Sequence, residues 1–400
     1  MESYGLFKHL ATENAYGALT KTLNSAKTTE ETQKTIKRIT RGNIRYAHMG
    51  QLIIDGGVCY TTFLQNPGDD GEAGDSLTSG VVLAVFTLAR VMSDSFDPEA
   101  DVTLYPIGQQ GEMCAGYRAA SIFKDNSMCL VGRELYICFS FITDDGKSRM
   151  FCRVFDVDRR TWVRENELLL RYRGKEYSFS DASLNEIYAD RGVPQNAKGL
   201  IELVSRWSEW RGEYYASGIP MDIPNNGFIV KTRDFHIMDL VDVVPFNDRG
   251  GSEISSYIYG GKLYVACRQD YQNPYLYLGA LDLDSMKWDK PFKLQDGNCR
   301  PWFFEYRGEL YLMHTVDEKL RRYTNISRVR TWQTAWHVFD EIHPVELMAT
   351  VKGCGSYFAT AEHEGEIYFV CTRNTESFGK LCLHFYDEDE INRRLLGLLG

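Results

Sequence analysis

The chain has 400 residues, of which 44% are hydrophobic, 13% aromatic and 25% charged, and this composition excludes a disordered or collagen-like protein. Its 45 basic and 55 acidic side chains give a net charge of −10, which argues against a nucleic-acid partner, because general binders neutralise phosphates with clustered Lys and Arg. The most apolar run, Val81–Val91, contains an arginine and is too short to cross the roughly 30 Å hydrocarbon core of a bilayer, so we expect no membrane partner.

The N-terminus shows no basic start followed by an apolar stretch, which predicts a cytoplasmic protein, although a secreted chain without its signal would look the same. Ten cysteines are scattered without a CxxC pair, and we expect them to be reduced core residues. The eight histidines have no HxH or HExxH spacing, which argues against a metal site. Nothing in the sequence indicates a cofactor or a required ion.

Both ends of the chain carry helical patterns. Within an N-terminal extension of about 40 residues, Thr28–Arg38 is amphipathic and predicts a short helix. The C-terminal segment from about residue 388 is rich in leucine and predicts another. Either segment could close the fold. The sequence has no Pro/Ser-rich linker and no low-complexity run, so we expect one domain over residues 1–400.

Between the two ends one short pattern recurs six times: a turn containing glycine, an apolar residue, a tyrosine and an apolar strand. Its tyrosines, 47 to 79 residues apart, are Tyr60, Tyr136, Tyr215, Tyr264, Tyr311 and Tyr368. Each copy predicts a β-hairpin, because its turn needs a backbone with positive φ. Two copies are followed by D-x-D-x-x-x-W, in Asp156–Trp162 and Asp282–Trp288, where the first aspartate can accept N–H groups of a turn.

Six hairpins at this spacing predict an all-β fold, a six-bladed β-propeller of four-stranded sheets with short terminal helical segments. The alternative is an irregular β-sandwich in which the hairpins recur by coincidence. In a propeller the innermost strands converge on one axial face, so functional side chains come from distant parts of the sequence. Charged residues and tyrosines at the ends of those strands are therefore the candidates for a site.

The repeat around residues 250–290 is the most informative. Glu253 and Arg268 lie 15 residues apart on neighbouring strands of its hairpin. In the last repeat Tyr357 stands where Glu253 stands in this one, and Arg300 stands there in the repeat between them. Corresponding positions in the second repeat belong to Glu112 and Arg118.

With these residues the sequence resembles the sialidase-like propellers, the BNR-repeat or neuraminidase-type glycosidases, over about residues 40–390. In that family a glutamate activates a tyrosine nucleophile, three arginines bind the substrate carboxylate, and an aspartate is the acid/base. The resemblance implies that Tyr357 is the nucleophile, Glu253 its activating base and Arg268 the second arginine.

The remaining roles implied by the resemblance are assigned by position. The first arginine is Arg45, where the family signature R-I-P is absent, and the third is Arg322, with Arg300 as its competitor. The acid/base lies in the loop containing Asp69, Asp70 and Glu72, and we prefer Asp70. Arg118 is a further candidate for substrate contact. Independently of the family, His48 and His314 lie near predicted inner strands and could perform acid/base work.

Elementary chemistry supports these roles. A tyrosine ordinarily titrates near pH 10, so it is a poor nucleophile unless a neighbouring carboxylate accepts its proton. A phenolate repels an anionic sugar less than a carboxylate nucleophile does, and sialidases are exceptions to the two-carboxylate rule for glycosidases. Guanidinium groups bind carboxylates bidentately and stay charged at any usable pH.

The sequence thus predicts a retaining glycoside hydrolase whose carbohydrate substrate carries an acidic sugar, a sialic acid or a related 2-keto acid. Two alternatives stay open. The first is a propeller polysaccharide lyase or another glycosidase; a lyase would neutralise a uronate with the arginines and use a tyrosine or histidine to abstract the α proton. A non-catalytic carbohydrate-binding propeller would stack sugars on surface tryptophans: Trp207, Trp210, Trp302 and Trp336. The oligomeric state is left open.

Overall fold

The structure is a computed structural model of the chain. It describes residues 32, 34–68, 79–121, 123–194, 199–220, 226–245, 253–269, 275–289, 291–295, 299–315, 324–329, 342–345, 356–372 and 376–382. Strands dominate these ranges, and helices are few and short. None of the helices in the described ranges has both the length and the apolar character needed to cross a membrane.

Residues 32, 34 and 35 are helical and are followed by the short strand β1 (Lys37–Arg38). The first sheet has the strand order β2-β3-β4-β5, and two short helices connect β4 to β5. Its elements are β2 (Tyr46–Asp55), β3 (Val58–Asn66), β4 (Gly80–Thr87), α1 (Leu88–Val91), α2 (Pro98–Asp101) and β5 (Thr103–Gln109).

A two-stranded hairpin of β6 (Met113–Cys114) and β7 (Tyr117–Arg118) leads to the second and third sheets. The second sheet consists of β8 (Lys124–Val131), β9 (Glu134–Ile142), β10 (Ser148–Asp156) and β11 (Thr161–Glu167). The third contains β12 (Leu169–Tyr172), β13 (Lys175–Ser178), β14 (Ile201–Glu202), β15 (Ser208–Trp210), β16 (Glu213–Pro220), β17 (Phe228–Thr232) and β18 (Ile237–Val243), with α3 (Asp181–Asp190) between β13 and β14.

Three further sheets follow along the chain. The fourth contains β19 (Ile254–Tyr259), β20 (Lys262–Arg268), β21 (Tyr275–Asp282), β22 (Lys287–Trp288) and β23 (Phe292–Gln295). The fifth consists of β24 (Trp302–Tyr306), β25 (Glu309–Thr315), β26 (Thr324–Val329) and β27 (Ile342–Val345). The sixth joins β1 to β28 (Ser356–His363), β29 (Glu366–Thr372) and β30 (Glu376–Leu381).

The fold is all-β and propeller-like, but the prediction of six four-stranded blades needs a correction. Within the described residues four sheets have four strands, whereas the third has seven and the fourth has five. The third is enlarged because the β12–β13 hairpin adds in parallel to β18, while β14 and β15 both pair with β16. In the fourth, β22 and β23 both pair with β21.

The sheets follow one another in a closed ring. β2 of the first sheet contacts β8 of the second sheet and β28 of the sixth sheet. On the other side of the ring, β19 of the fourth sheet contacts β24 of the fifth, and β24 contacts β28. Hydrophobic clusters lie between consecutive sheets, and the largest joins the first, fifth and sixth. Because each sheet is covered on both faces, its central strands are almost wholly buried, as β9 is.

All six predicted hairpins are present, and in each of them a two-residue turn connects the two strands. In five of them both turn residues have positive φ, the geometry that matches the twist of a hairpin. The predicted aspartate turns are also confirmed: Asp156 accepts from the backbone N–H of Asp158 and Arg159, and Asp282 from that of Ser285.

The N-terminal segment completes the last sheet. Lys37 and Arg38 pair antiparallel with β30, and the Ile39 N–H donates to the Glu376 carbonyl at 3.0 Å. The predicted helix over 28–38 is thus helical at residues 32, 34 and 35 and extended at its end. The predicted C-terminal helix lies outside the described residues. No disulfide links the nine described cysteines, of which eight are buried.

Shortening Ile39 tests whether this N-terminal strand is part of the cooperative fold. Ile39 is fully buried in the largest hydrophobic cluster, so Ile39→Ala should lower the free energy of unfolding by about 2–5 kcal/mol. The control Val163→Ala changes a residue of β11 that is 40% exposed, and it should cost less than about 1 kcal/mol. Urea unfolding measures both. Equal losses of unfolding free energy in the two variants would mean that the N-terminal strand is not part of the cooperative fold.

Candidate active site

The ends of inner strands bring Glu253 and Arg268 together. Glu253 immediately precedes β19 and Arg268 is the last residue of β20, and the strand register places them opposite each other. The Arg268 N–H donates to the Glu253 carbonyl at 2.9 Å. Their side chains form a buried ion pair between Arg268 Nη1 and Glu253 Oε2. The pairing that the sequence predicts for neighbouring strands is therefore present.

Tyr357 reaches this pair from the sixth sheet. Its hydroxyl accepts a hydrogen bond from Arg268 Nη1 at 3.2 Å and also hydrogen bonds to the Glu253 carboxylate. The backbone of Tyr357 has φ +63°, which a non-glycine residue rarely adopts, and the register of β28 shifts between Ser356 and Ala359. Such a bulge re-aims a side chain, and strained backbone of this kind clusters at functional sites.

The fifth and first sheets supply two more side chains. The Arg300 guanidinium lies 5.4 Å from the centroid of the Tyr357 ring, and its Nη2 donates to the carbonyls of Gly50 and Phe358 at 3.1 and 3.4 Å. The His48 ring lies edge-on to that of Tyr357, with 4.1 Å between centroids. We call Glu253, Arg268, Tyr357, Arg300 and His48 the axial cluster.

Burial and charge set the ionisation of this cluster, whose five residues are 2% to 6% exposed. Burial raises the pKa of Glu253, but the charge of Arg268 and the hydrogen bond from Tyr357 outweigh it, so the pKa lies below its ordinary value. Burial lowers the pKa of Arg268, and Glu253 raises it well above the usual range. Glu253 is thus an ionised proton acceptor in contact with a phenol.

A second buried carboxylate, which the sequence analysis does not single out, borders the cluster. Glu376 is fully buried, and Thr372 Oγ1 donates to its Oε1 at 2.8 Å. A Cβ on Gly50 would lie 2.9 Å from Glu376 Oε2 and 3.0 Å from Val370 Cγ2, so a larger residue there would displace these side chains. Burial raises the pKa of Glu376 to about 7, against the Thr372 hydrogen bond and the charge of Arg300. The one sequence signal is an acid at the start of an otherwise buried strand.

The other predicted site residues lie elsewhere. Arg45 is exposed and immediately precedes β2, whereas His48, three residues later, is buried within that strand. Arg118 is exposed in β7 and donates to the Gly111 carbonyl at 3.3 Å, with Glu112 half-buried beside it. His314 is buried within β25. Asp69, Asp70, Glu72 and Arg322 lie outside the described residues.

The predicted tryptophan surface is wrong for two of its members. Trp207 and Trp302 are buried, and each donates its indole N–H inside the protein, to Ser127 Oγ at 3.0 Å and to Thr360 Oγ1 at 3.1 Å. A buried ring cannot stack on a sugar at the surface. Trp210 is half-buried, and Trp336 lies outside the described residues. In the part of the chain that the structure describes, no group of three or more His, Cys, Asp or Glu side chains could hold a metal ion.

No family model and no curated protein matches the sequence, but solved structures share its fold. A protein of unknown function from Dyadobacter fermentans has a TM-score of 0.60 at 11% identity, over 88% of this chain and 98% of the other. A Hadza microbial sialidase has a TM-score of 0.57 at 10% identity, over 84% of this chain and 65% of the other. Trypanosoma rangeli sialidase in complex with the inhibitor DANA has a TM-score of 0.53 at 11% identity, over 87% of this chain and 58% of the other. Another structure of the same enzyme contains a covalent intermediate with 2,3-difluorosialic acid.

These similarities concern the fold. The chain spans less than two thirds of either sialidase and nearly all of the Dyadobacter protein. At 10–12% identity they support a sialidase-like propeller arrangement, and they do not bear on the substrate or the reacting residues.

Replacing Glu376 should change how stability depends on pH. Its pKa of about 7 in the folded state exceeds the ordinary value of 4.5, so its contribution to stability is full below pH 4.5 and is lost as pH rises through 7. Glu376→Gln should match wild type near pH 4 and exceed it by about 3 kcal/mol near pH 8. Urea unfolding at both pH values measures the difference. The exposed control Glu364→Gln should differ from wild type by the same small free energy at both pH values. If Glu376→Gln differs from wild type equally at pH 4 and pH 8, Glu376 does not have the raised pKa.

Breaking the buried ion pair should cost more than removing it. Arg268→Met leaves the Glu253 carboxylate buried without its main partner and should lower the free energy of unfolding by about 3–5 kcal/mol. Adding Glu253→Gln should recover part of that loss, because the uncompensated charge disappears. Lys175→Met, which removes an exposed pair with Glu186, is the control and should change little. Additive costs in a double-mutant cycle would mean that Glu253 and Arg268 are not coupled.

Proposed function

We propose that the chain is a retaining glycoside hydrolase that acts on an acidic-sugar glycoside, a sialic acid or a related 2-keto acid, with Tyr357 as nucleophile. One observation carries the proposal: the Tyr357 hydroxyl contacts both Glu253 and Arg268 in a buried cluster drawn from four sheets. A phenol paired with an ionised carboxylate is the arrangement that makes tyrosine nucleophilic.

We also infer that the ring has six blades within one domain. The seven-stranded sheet contains the antiparallel run β15-β16-β17-β18, and the five-stranded sheet contains β19-β20-β21 with a divided outer strand. Together they sit between the four-stranded second and fifth sheets in the ring of contacts. On this interpretation the additional strands decorate two ordinary blades.

In the proposed reaction, Glu253 accepts the proton of the Tyr357 hydroxyl as its oxygen bonds to the anomeric carbon. The bond from that carbon to the leaving oxygen breaks, and an acid, for which Asp70 remains our prediction, protonates that oxygen. Water then attacks the anomeric carbon, giving a proton back to the acid/base, and Tyr357 leaves and recovers its proton from Glu253. The configuration is retained because two inversions occur.

The charges around Tyr357 favour an anionic substrate. Arg268 and Arg300 both lie against the tyrosine, and the Glu253 carboxylate contacts its hydroxyl. A bidentate guanidinium–carboxylate contact is strong in a site of low exposure. Arg45, Arg118 and Arg322 remain further candidates for contact with the substrate.

A second candidate function is a polysaccharide lyase acting on a uronate. The contact between the His48 and Tyr357 rings favours it, because an imidazole and a phenol beside two arginines could abstract the α proton of a neutralised uronate. The assay below separates the two, since a lyase forms an unsaturated uronide that absorbs in the ultraviolet and consumes no water.

Turnover of a fluorogenic sialoside tests the proposal. Tyr357→Phe should lose on the order of 10³-fold or more in kcat, because the nucleophile is gone, and Glu253→Gln about 10²–10⁴-fold. The matched control Tyr368→Phe removes a hydroxyl from the neighbouring strand β29 and should stay within about twofold of wild type. Hydrolysis that persists unchanged in Tyr357→Phe would refute the assignment.

Covalent trapping provides a second readout. Incubation with 2,3-difluorosialic acid, with which Trypanosoma rangeli sialidase forms a covalent intermediate, should add the mass of one sugar to the peptide containing Tyr357. The label should be missing in Tyr357→Phe. Ultraviolet-absorbing products from a uronate polymer would favour the lyase, and binding of DANA without turnover would favour a carbohydrate-binding module.

A further inference from the structure

We propose that His48 is the third cationic group of the axial cluster, in the role for which the sequence predicts an arginine, so that the site binds its anionic ligand with a titratable charge. This inference rests on the proposed function in one respect, that the ligand of the cluster is an anion. It concerns a residue to which that function assigns no role.

The first step is the position of His48. It is 4% exposed in β2, and its ring contacts the ring of Tyr357. Arg45, the predicted first arginine, is exposed on the same segment. The register between β2 and β3 shifts between His48 and Gln51, so a bulge directly follows the histidine. The first sheet therefore presents an imidazole to the nucleophile and turns the nearest arginine away.

The second step is the bond that ties His48 to the rest of the cluster. Gly50, two residues along the same strand, accepts a hydrogen bond from Arg300, whose guanidinium lies over the Tyr357 ring. The tyrosine ring thus contacts His48 and a fixed guanidinium. His48 and Arg300 both contact the Tyr357 ring, and Arg300 hydrogen bonds to the backbone of the strand that carries His48. Two members of a single anion site would be arranged in this way.

The third step is charge. The His48 ring packs against Tyr46 on its own strand and Tyr357 on β28, and Gly50, two residues further along, lies beside Arg300 and Glu376. Arg268 forms an ion pair with Glu253, whereas Arg300 is a permanent positive charge that lies over the Tyr357 ring and acts at longer range on Glu253 and Glu376.

Histidine ordinarily titrates near pH 6.5, and the Glu376 carboxyl has its pKa raised to about 7 by burial. Loss of a proton from either group makes the site less positive. The affinity for an anion should therefore fall between pH 5.5 and 8, and binding near pH 7 should be accompanied by proton uptake.

Calorimetric titration with DANA, galacturonate and acetate at pH 5.5 and 8, in buffers of different ionisation enthalpy, tests the inference. Wild type should bind a sugar acid at least about tenfold more weakly at pH 8 than at pH 5.5 and should take up protons at pH 7. His48→Gln should bind at pH 5.5 more weakly than wild type does at that pH, but less weakly than wild type at pH 8, where Glu376 is ionised as well, and it should take up as much as about one proton less. His48→Arg should bind at both pH values, because guanidinium stays charged.

Glu376→Gln is the matched variant, because it removes the other group that titrates in this range and should keep the part of the pH dependence that belongs to His48. If His48→Arg does not fold, judged by its unfolding midpoint, the comparison of wild type with His48→Gln decides. A wild-type pH profile and proton uptake in His48→Gln would overturn the inference.

The same experiments separate this inference from the proposed function. Binding of galacturonate that depends on His48 and pH, without hydrolysis of sialosides, would support the inference and refute the hydrolase. Hydrolysis that requires Tyr357, with an unchanged pH profile in His48→Gln, would support the hydrolase and refute the inference. Failure of wild type to bind any of the three acids at pH 5.5 would overturn both.

Discussion

The ion pair between Glu253 and Arg268 is the constraint on which the rest of the site depends. A carboxylate at 6% exposure stays ionised only if a positive charge and hydrogen-bond donors replace its water, and Arg268 and Tyr357 supply them. Because the same guanidinium nitrogen contacts the carboxylate and the phenol, the three groups hold one another in place. Stability and proposed chemistry thus use the same contacts, since a carboxylate kept ionised beside a phenol is both a structural counter-ion and a base.

The ring of sheets explains how residues so far apart in the chain reach one place. The first, fourth, fifth and sixth sheets bring the strands β2, β19, β24 and β28 into contact, so His48, Glu253, Arg300 and Tyr357, each at or near the start of one of these strands, converge although they come from four sheets. Bulges after His48 and at Tyr357 then set the direction of individual side chains. The hydrophobic clusters between sheets hold the scaffold rigid, which a site with little freedom of its own requires.

The fold similarity and the axial cluster carry different kinds of information. A sialidase-like arrangement at 10–12% identity narrows the architecture, and the same architecture can host a hydrolase, a lyase or a binding module. The chemistry has to be argued from the contacts of Tyr357. Those contacts include His48, a histidine on the segment from which the sequence predicts the first arginine.

The sequence by itself determined the six hairpins, their aspartate turns and the pairing of Glu253 with Arg268, because turn chemistry and strand register are local and leave a local pattern of glycine, aspartate and alternating residues. It also pointed to Tyr357 and Arg300 through their equivalent places in the repeat. Only the tertiary structure decided that buried His48, and not exposed Arg45, contacts the tyrosine, since this contact joins the first sheet to the sixth. The same holds for buried Glu376 and for Trp207 and Trp302, whose burial follows from neighbouring sheets that no local pattern reveals.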